Sequence, residues 1–90
     1  MYAKNVTVRN PSGLHARPAS ELVARAKQFR SKILLHRPDS QVEGNAKSII
    51  ILLSMGIHQG ETVELMAEGP DEREAVEDLA ALIEGGFGEI

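Results

Sequence analysis

Apolar and polar side chains alternate in several short stretches, a pattern typical of β-strands that cover a core on one face. In residues 2–9, valines alternate with polar side chains and predict a first strand. Residues 61–67 alternate in the same way and predict a last strand. Between them, residues 32–37 are strand-like, and a Pro-Asp-Ser turn then predicts a hairpin whose return strand covers residues 41–43.

Apolar residues at spacings of three and four predict two amphipathic helices. The first begins at about Ala16, because Pro18 is best tolerated in the first turn of a helix, and its apolar positions continue to Phe29. The second begins at residues 69–72, where a proline is followed by acidic residues, and ends at residues 85–86, which are both glycine.

The segment from Ser48 to Gly56 is ambiguous, because its isoleucines favour a strand. Ser48 is nevertheless a good N-cap, and Gly56 suits the left-handed position that often follows a helix. We therefore expect a short helix here.

The resulting order of elements, β-α-β-β-α-β-α, predicts an α+β open-faced sandwich. Two long helices and one short helix would cover one face of a four-stranded antiparallel sheet, and the other face would meet water. A mixed sheet is the alternative. Ninety residues suffice for a single domain spanning residues 1–90.

The composition is that of a soluble globular protein, with 42% hydrophobic and 26% charged residues. No apolar run is long enough to cross a bilayer, and no signal peptide is recognisable at the N-terminus. Cysteine is absent, which excludes disulfides and thiolate metal sites. We therefore expect a cytoplasmic protein that does not insert into membranes.

Charge is strongly segregated along the chain, although the formal net charge is only −3. Residues 1–37 carry a net charge of +7, whereas residues 60–90 carry −9. This segregation predicts a basic face that attracts phosphate or an acidic partner, or two halves that attract each other within the fold. Nucleic acid is not expected as a partner, because there are too few aromatic side chains to stack on bases.

His15 is the residue before the first predicted helix, where it would act as the N-cap. The N-terminus of a helix offers unpaired N–H groups and a positive dipole end, so Ala16 and Arg17 could bind an anion through their amides. The Arg17 guanidinium could also contact phosphate oxygens. The segment thus suits phosphoryl transfer to a histidine nitrogen, with simple anion binding or an ordinary surface cap as alternatives.

The segment GLHARPA, residues 13–19, closely resembles the active-site segment of the HPr family, the histidine-containing phosphocarriers of the bacterial phosphotransferase system. Residues 45–49, 54–57 and 67–69, together with Gly60, also match the family pattern in order and spacing. The resemblance therefore spans essentially the whole chain.

This resemblance implies that His15 accepts a phosphoryl group from enzyme I, which phosphoenolpyruvate charges, and donates it to sugar-specific phosphoacceptor domains. In the family the phosphoryl group is carried on Nδ1, and Arg17 would stabilise it. Such a protein is a phosphoryl carrier rather than an enzyme in its own right. It needs no cofactor or metal, and we expect a monomer.

Ser48 resembles the family's regulatory serine, which an ATP-dependent kinase phosphorylates in many Gram-positive bacteria. That resemblance implies a serine kinase/phosphorylase and a transcriptional regulator as further partners. A phosphate there would add up to about two negative charges and repel an acidic partner. A plain capping role is the alternative, and Ile50-Ile51 depart from the Met-Gly common in that group.

The short helix has more apolar residues than one buried face needs. By resemblance to the family, Leu52 and Met55 belong to the core, whereas other apolar residues of the helix would form a docking patch with a basic rim. The alternatives are complete burial or a dimer contact. The predicted patch consists of Ile49, Ile50, Leu53 and Lys27, with Arg17 and Arg25 also in the rim.

The residues leave alternatives to a sugar-pathway carrier. One is an HPr-like regulatory binding module without transfer chemistry, although the presence of His15 argues against it. Another is a nitrogen-branch phosphocarrier, which the glycine-rich residues 85–88 leave open. A metal site built from His15, His36 and His58 is disfavoured, because these residues lack a ligand spacing and the latter two are expected to be exposed.

Overall fold

A computed structural model describes all ninety residues, which form one four-stranded sheet and three helices. The three helices pack together, and the last of them lies against three of the strands. In chain order the elements are β1 (Tyr2–Thr7), α1 (Ala16–Ala26), β2 (Lys32–His36), β3 (Glu43–Asn45), α2 (Ile49–Met55), β4 (Thr62–Glu68) and α3 (Glu72–Glu84), followed by a 3₁₀ turn at Gly86–Gly88.

The sheet has the strand order β1-β4-β2-β3, and every neighbouring pair is antiparallel. Val6 lies opposite Val63, and Leu35 lies opposite Leu65, so the apolar positions of each strand point to the same face. These four side chains are buried beneath the helices. The predicted open-faced α+β sandwich is therefore confirmed, and the mixed sheet is excluded.

Five predicted elements have boundaries that differ from those observed. β2 ends one residue earlier than predicted, and β4 begins and ends one residue later than predicted. The first strand ends at Thr7, and α1 ends at Ala26, because the Phe29 N–H bonds to the Ala26 carbonyl in a turn. The return strand of the hairpin is Glu43–Asn45 rather than residues 41–43. Its turn is longer than predicted, because the Arg37 N–H bonds to the carbonyl of Val42 at 3.1 Å.

The segment that favoured both strand and helix forms the short helix α2. The Ser48 hydroxyl accepts a hydrogen bond from the Ile51 N–H at 3.3 Å, and Gly56 adopts the left-handed conformation with φ of 58°. Leu52 and Met55 face the core, as the family resemblance implied. The cap and the glycine therefore outweigh the strand preference of the isoleucines.

Oppositely charged residues from the two ends of the chain pair in the fold. Lys4 contacts Glu77 at 3.1 Å, and the Arg25 Nη1 atom lies 3.0 Å from both oxygens of Asp78. Part of the segregated charge is therefore neutralised by ion pairs within the fold.

None of the helices has the length and hydropathy required to span a bilayer.

Candidate functional site

His15 is the N-cap of α1, as predicted from the position of Pro18. Its backbone is extended, with φ of −117° and ψ of 159°, and its side chain makes no capping hydrogen bond to the helix. The residue is half-buried, so its ring is not enclosed in the core. The imidazole is therefore not committed to holding the helix together and is available for chemistry.

Ala16 has an unusual backbone conformation immediately after His15. Its φ is 50°, in the left-handed region that residues with a β-carbon avoid at a cost of roughly 1–2 kcal/mol. At the start of a helix its N–H and that of Arg17 have no intrahelical acceptor. The strained backbone of Ala16 and the unpaired N–H groups of Ala16 and Arg17 thus lie directly after the histidine.

The loop that leads to His15 is fixed by hydrogen bonds at both ends. The Asn10 side-chain amide donates to the Gly13 carbonyl at 2.8 Å, and the Gly13 N–H donates to the Asn10 carbonyl at 3.0 Å. Leu14 is fully buried, and its N–H donates to the Ile57 carbonyl at 3.0 Å. These contacts position His15 against the loop that precedes β4.

Arg17 is exposed, and its guanidinium forms no hydrogen bond or ion pair within the chain. It borders a cleft of about 280 Å³ that Ser12 and Pro18 also line. Residues 87–89 also line this cleft, and the Glu89 carboxylate accepts the Ser12 N–H at 3.2 Å. This hydrogen bond lowers the pKa of Glu89.

A second histidine lies beside the first. The centres of the His15 and His58 rings are 5.9 Å apart, and the ring planes are tilted by 46°. His58 is exposed, as predicted. His36 is in β2 instead. It is half-buried rather than exposed as predicted, because its ring contacts Glu64 and the Ser40 carbonyl, and the three histidines do not form one cluster.

The apolar residues of α2 are divided between the core and the surface. Ile50 is 76% exposed and Leu53 43%, whereas Ile49 is half-buried against the core. Complete burial of the predicted patch is therefore wrong. Ile51, which the predicted patch omitted, is 39% exposed and extends it.

The basic rim needs one correction. Lys27, the C-cap of α1, is exposed and unpaired, like Arg17. Arg25 was expected in the rim but binds Asp78 of α3, because a planar guanidinium pairs well with a carboxylate on the adjacent helix. It is therefore not a free cation.

Two neighbours of the site were not predicted to belong to it, namely His58 and Glu89. Both reach the His15 loop through contacts between distant parts of the chain, and neither belongs to a local motif. The only signal in the sequence was the type of each residue, which gives no indication of its spatial neighbours.

Comparison with known proteins identifies relatives over almost the whole length. The family model described as "PTS HPr component phosphorylation site" matches residues 2–85. The phosphocarrier protein HPr of Mycoplasma pneumoniae is 48% identical over 79 residues, which cover 88% of this chain and 89% of that protein.

Solved structures agree with this match. The crystal structure of HPr from Thermoanaerobacter tengcongensis superimposes with a TM-score of 0.93 at 43% identity, covering 100% of this chain and 99% of the other. Crh of Bacillus subtilis, a catabolite repression protein crystallised as a swapped dimer, gives a TM-score of 0.73 at 41% identity, covering 96% and 97%.

Proposed function

This chain belongs to the HPr family of phosphocarrier proteins of the phosphotransferase system, and from that premise we propose that His15 is the residue that carries the phosphoryl group. The group comes from enzyme I, charged by phosphoenolpyruvate, and passes to sugar-specific acceptor domains in the cytoplasm. The observation that carries the proposal is the half-buried His15 ring, which lies at the N-terminus of α1 and makes no capping hydrogen bond.

The transfer conserves atoms and charge without an added reagent. A lone pair on a ring nitrogen of His15 forms the new N–P bond, while the bond from phosphorus to the donor's imidazole nitrogen breaks. The donor ring keeps that electron pair. Because donor and acceptor are both imidazoles, the reaction runs in either direction, and the protein must supply mainly positioning and charge neutralisation.

Ala16 and Arg17 are proposed to bind the phosphoryl oxygens. The unpaired N–H groups at the start of α1 favour an anion, and the exposed guanidinium of Arg17 can move onto it. Arg17 is therefore expected to stabilise both the phosphorylated protein and the charge developing during transfer.

The surface of α2 is proposed as the docking surface for these partners. Exposed apolar side chains beside free cations suit a partner with an acidic rim around an apolar centre. The docking surface comprises Ile49, Ile50, Ile51 and Leu53 of α2, with Lys27 and Arg17 at its basic edge.

Phosphorylation of Ser48 is proposed as a regulatory modification, by a serine kinase/phosphorylase. Ser48 adjoins the docking surface, and its hydroxyl already accepts the Ile51 N–H, so a phosphate there would lie at the start of α2. The added negative charge would weaken docking of an acidic partner. A transcriptional regulator that recognises the phosphoserine is the corresponding partner.

The likeness to Crh supports a second candidate, a regulatory binding module. Such a module would use the docking surface without carrying a phosphoryl group, and the swapped dimer of that relative contrasts with the monomer expected here.

A nitrogen-branch carrier would instead keep the chemistry of His15 and change the acceptors. Light scattering measures the oligomeric state, and transfer to sugar-branch or nitrogen-branch acceptors distinguishes the two carriers.

The central experiment is labelling by enzyme I and radiolabelled phosphoenolpyruvate. We expect a label that is acid-labile and alkali-stable, which disappears in His15→Ala and persists in Ser48→Ala. His36→Ala is the matched control, because it removes an imidazole outside the site. Label retained by His15→Ala, or absent from the wild type, would contradict the proposal.

A further inference from the structure

The feature that the proposed carrier chemistry does not use is His58. Its ring centre lies 5.9 Å from that of His15, with the planes tilted by 46°. A phosphoryl group attached to a ring nitrogen extends outward by two bond lengths to its oxygens. A hydrogen bond of about 2.7–3.2 Å can then span the remaining distance to the neighbouring ring.

The backbone around His58 is rigidly attached to the His15 loop. The Leu14 N–H bonds to the Ile57 carbonyl at 3.0 Å, which ties the two loops together one residue from each histidine. The Glu61 carboxylate accepts the His58 N–H at 2.7 Å, and the Arg37 Nε atom donates to that carboxylate at 2.8 Å. The backbone of His58 is therefore held in position relative to the His15 loop, which keeps the two rings close together.

The two other histidines differ in how their ring nitrogens are used. In His36 both nitrogens are engaged, one with Glu64 at 3.3 Å and the other with the Ser40 carbonyl at 2.9 Å. The His58 ring is exposed and has no hydrogen-bond partner within the chain. Since an imidazole carries at least one N–H, His58 has an unused donor on a ring whose centre lies 5.9 Å from that of His15.

We propose that His58 is a phosphoryl-binding residue, whose ring N–H donates a hydrogen bond to an oxygen of the phosphoryl group on His15. This inference rests on the proposed function of His15 and adds a third donor type to the helix amides and the guanidinium. The bond exists only in the phosphorylated protein. It therefore favours the phosphorylated form over the free form.

Two substitutions separate hydrogen bonding from ring packing. His58→Phe keeps a ring beside His15 but removes the donor, whereas His58→Gln keeps an N–H donor without the ring. The quantity to measure is the equilibrium partition of label between charged enzyme I and this protein, at a fixed ratio of the two proteins. We expect His58→Phe to reduce the equilibrium constant about three- to tenfold, and His58→Gln to restore most of it.

The ³¹P chemical shift of the phosphorylated protein gives a second readout, because it reports the immediate surroundings of the phosphoryl oxygens. His58→Phe should move this shift, and His58→Gln should bring it closer to the wild-type value. His36→Gln is the matched control and should leave both quantities unchanged, since its ring contacts Glu64 and Ser40 instead.

The outcomes distinguish this inference from the proposed function. If the wild type is not labelled at His15, the carrier function itself is wrong. If it is labelled, but His58→Phe has the wild-type partition and ³¹P shift, the hydrogen bond from His58 is disproved. Equal losses in His58→Phe and His58→Gln would also overturn it, because only the ring would then matter.

Discussion

Gly13 offers the sharpest test of how the site is held together. It has φ of 64°, and a β-carbon placed on it would lie 2.5 Å from the Ile57 carbonyl oxygen and 3.1 Å from the Cα atom of His58. Both are backbone atoms, so no side-chain rotation relieves the contact. Gly13→Ala must therefore separate the His15 loop from the loop that carries His58.

The expected cost has two parts. The left-handed conformation disfavours alanine by about 1–2 kcal/mol. The clash adds the loss of the hydrogen bond from Leu14 to Ile57, about 0.5–1.5 kcal/mol, so the free energy of unfolding should fall by roughly 1.5–3.5 kcal/mol in total.

Gly56→Ala is a matched control for the first part alone. Gly56 has φ of 58°, close to that of Gly13, but no atom lies within 4 Å of its virtual β-carbon. Urea unfolding followed by circular dichroism measures both variants. Gly56→Ala should cost about 1–2 kcal/mol, and Gly13→Ala about 1 kcal/mol more.

The same two variants test whether this contact matters to phosphorylation. Because a small displacement of a reacting group has a large kinetic effect, Gly13→Ala should slow the labelling of His15 by enzyme I at least about tenfold. Gly56→Ala should have a much smaller effect. Equal stabilities and equal labelling rates in the two variants would refute the role of the Gly13–Ile57 contact.

Four further predictions concern single side chains. Arg17→Ala should slow transfer to acceptor domains about tenfold, and an unchanged rate in a quenched-flow assay would remove Arg17 from the mechanism. Ser48→Ala should lower the free energy of unfolding by about 1 kcal/mol in urea, because α2 loses its N-cap; no loss would mean that the cap is unimportant. Ile50→Ala should raise the KM of enzyme I for this protein, while changing the free energy of unfolding by less than about 0.5 kcal/mol. An unaltered KM would exclude Ile50 from docking. The hydrogen bond from the Ser31 hydroxyl is the main cause that lowers the pKa of Asp71 to about 2 from 3.8. The Asp71 carboxylate therefore contributes its full stabilisation above about pH 4, and this contribution is lost as the pH falls from about 4 to 2. Asp71→Asn should remove that part of the dependence of unfolding free energy on pH. An acid-unfolding profile identical to that of the wild type would contradict the assignment.

Most elements of the fold were predictable because their signals are local. Pro18 restricts where α1 can begin, and Ser48 and Gly56 define both ends of α2 within nine residues of sequence. The return strand of the hairpin was misplaced, because the bond between Arg37 and Val42 closes a turn whose length no single turn residue specifies. Signals of capping and periodicity therefore predict elements better than they predict pairing.

The same division applies to the site. The position of His15 at the mouth of α1 followed from the chain itself, and the family resemblance added its chemistry. The neighbours His58 and Glu89 could not be predicted, because each reaches His15 or its loop only after the sheet has formed. The pairing of Arg25 with Asp78 was missed for the same reason, since it depends on how α1 packs against α3.

The ion pairs between the ends of the chain change how this protein should behave toward a charged partner. Lys4 and Arg25 are neutralised by carboxylates of α3, while Arg17 and Lys27 remain unpaired at either end of α1. A formal charge of −3 would suggest repulsion from an acidic partner, yet two unpaired cations, Arg17 and Lys27, against the single acid Glu21 leave α1 with a net positive charge that should attract one. The rate of association with an acidic partner should accordingly decrease with added salt, although the protein as a whole is an anion and would bind to an anion-exchange column.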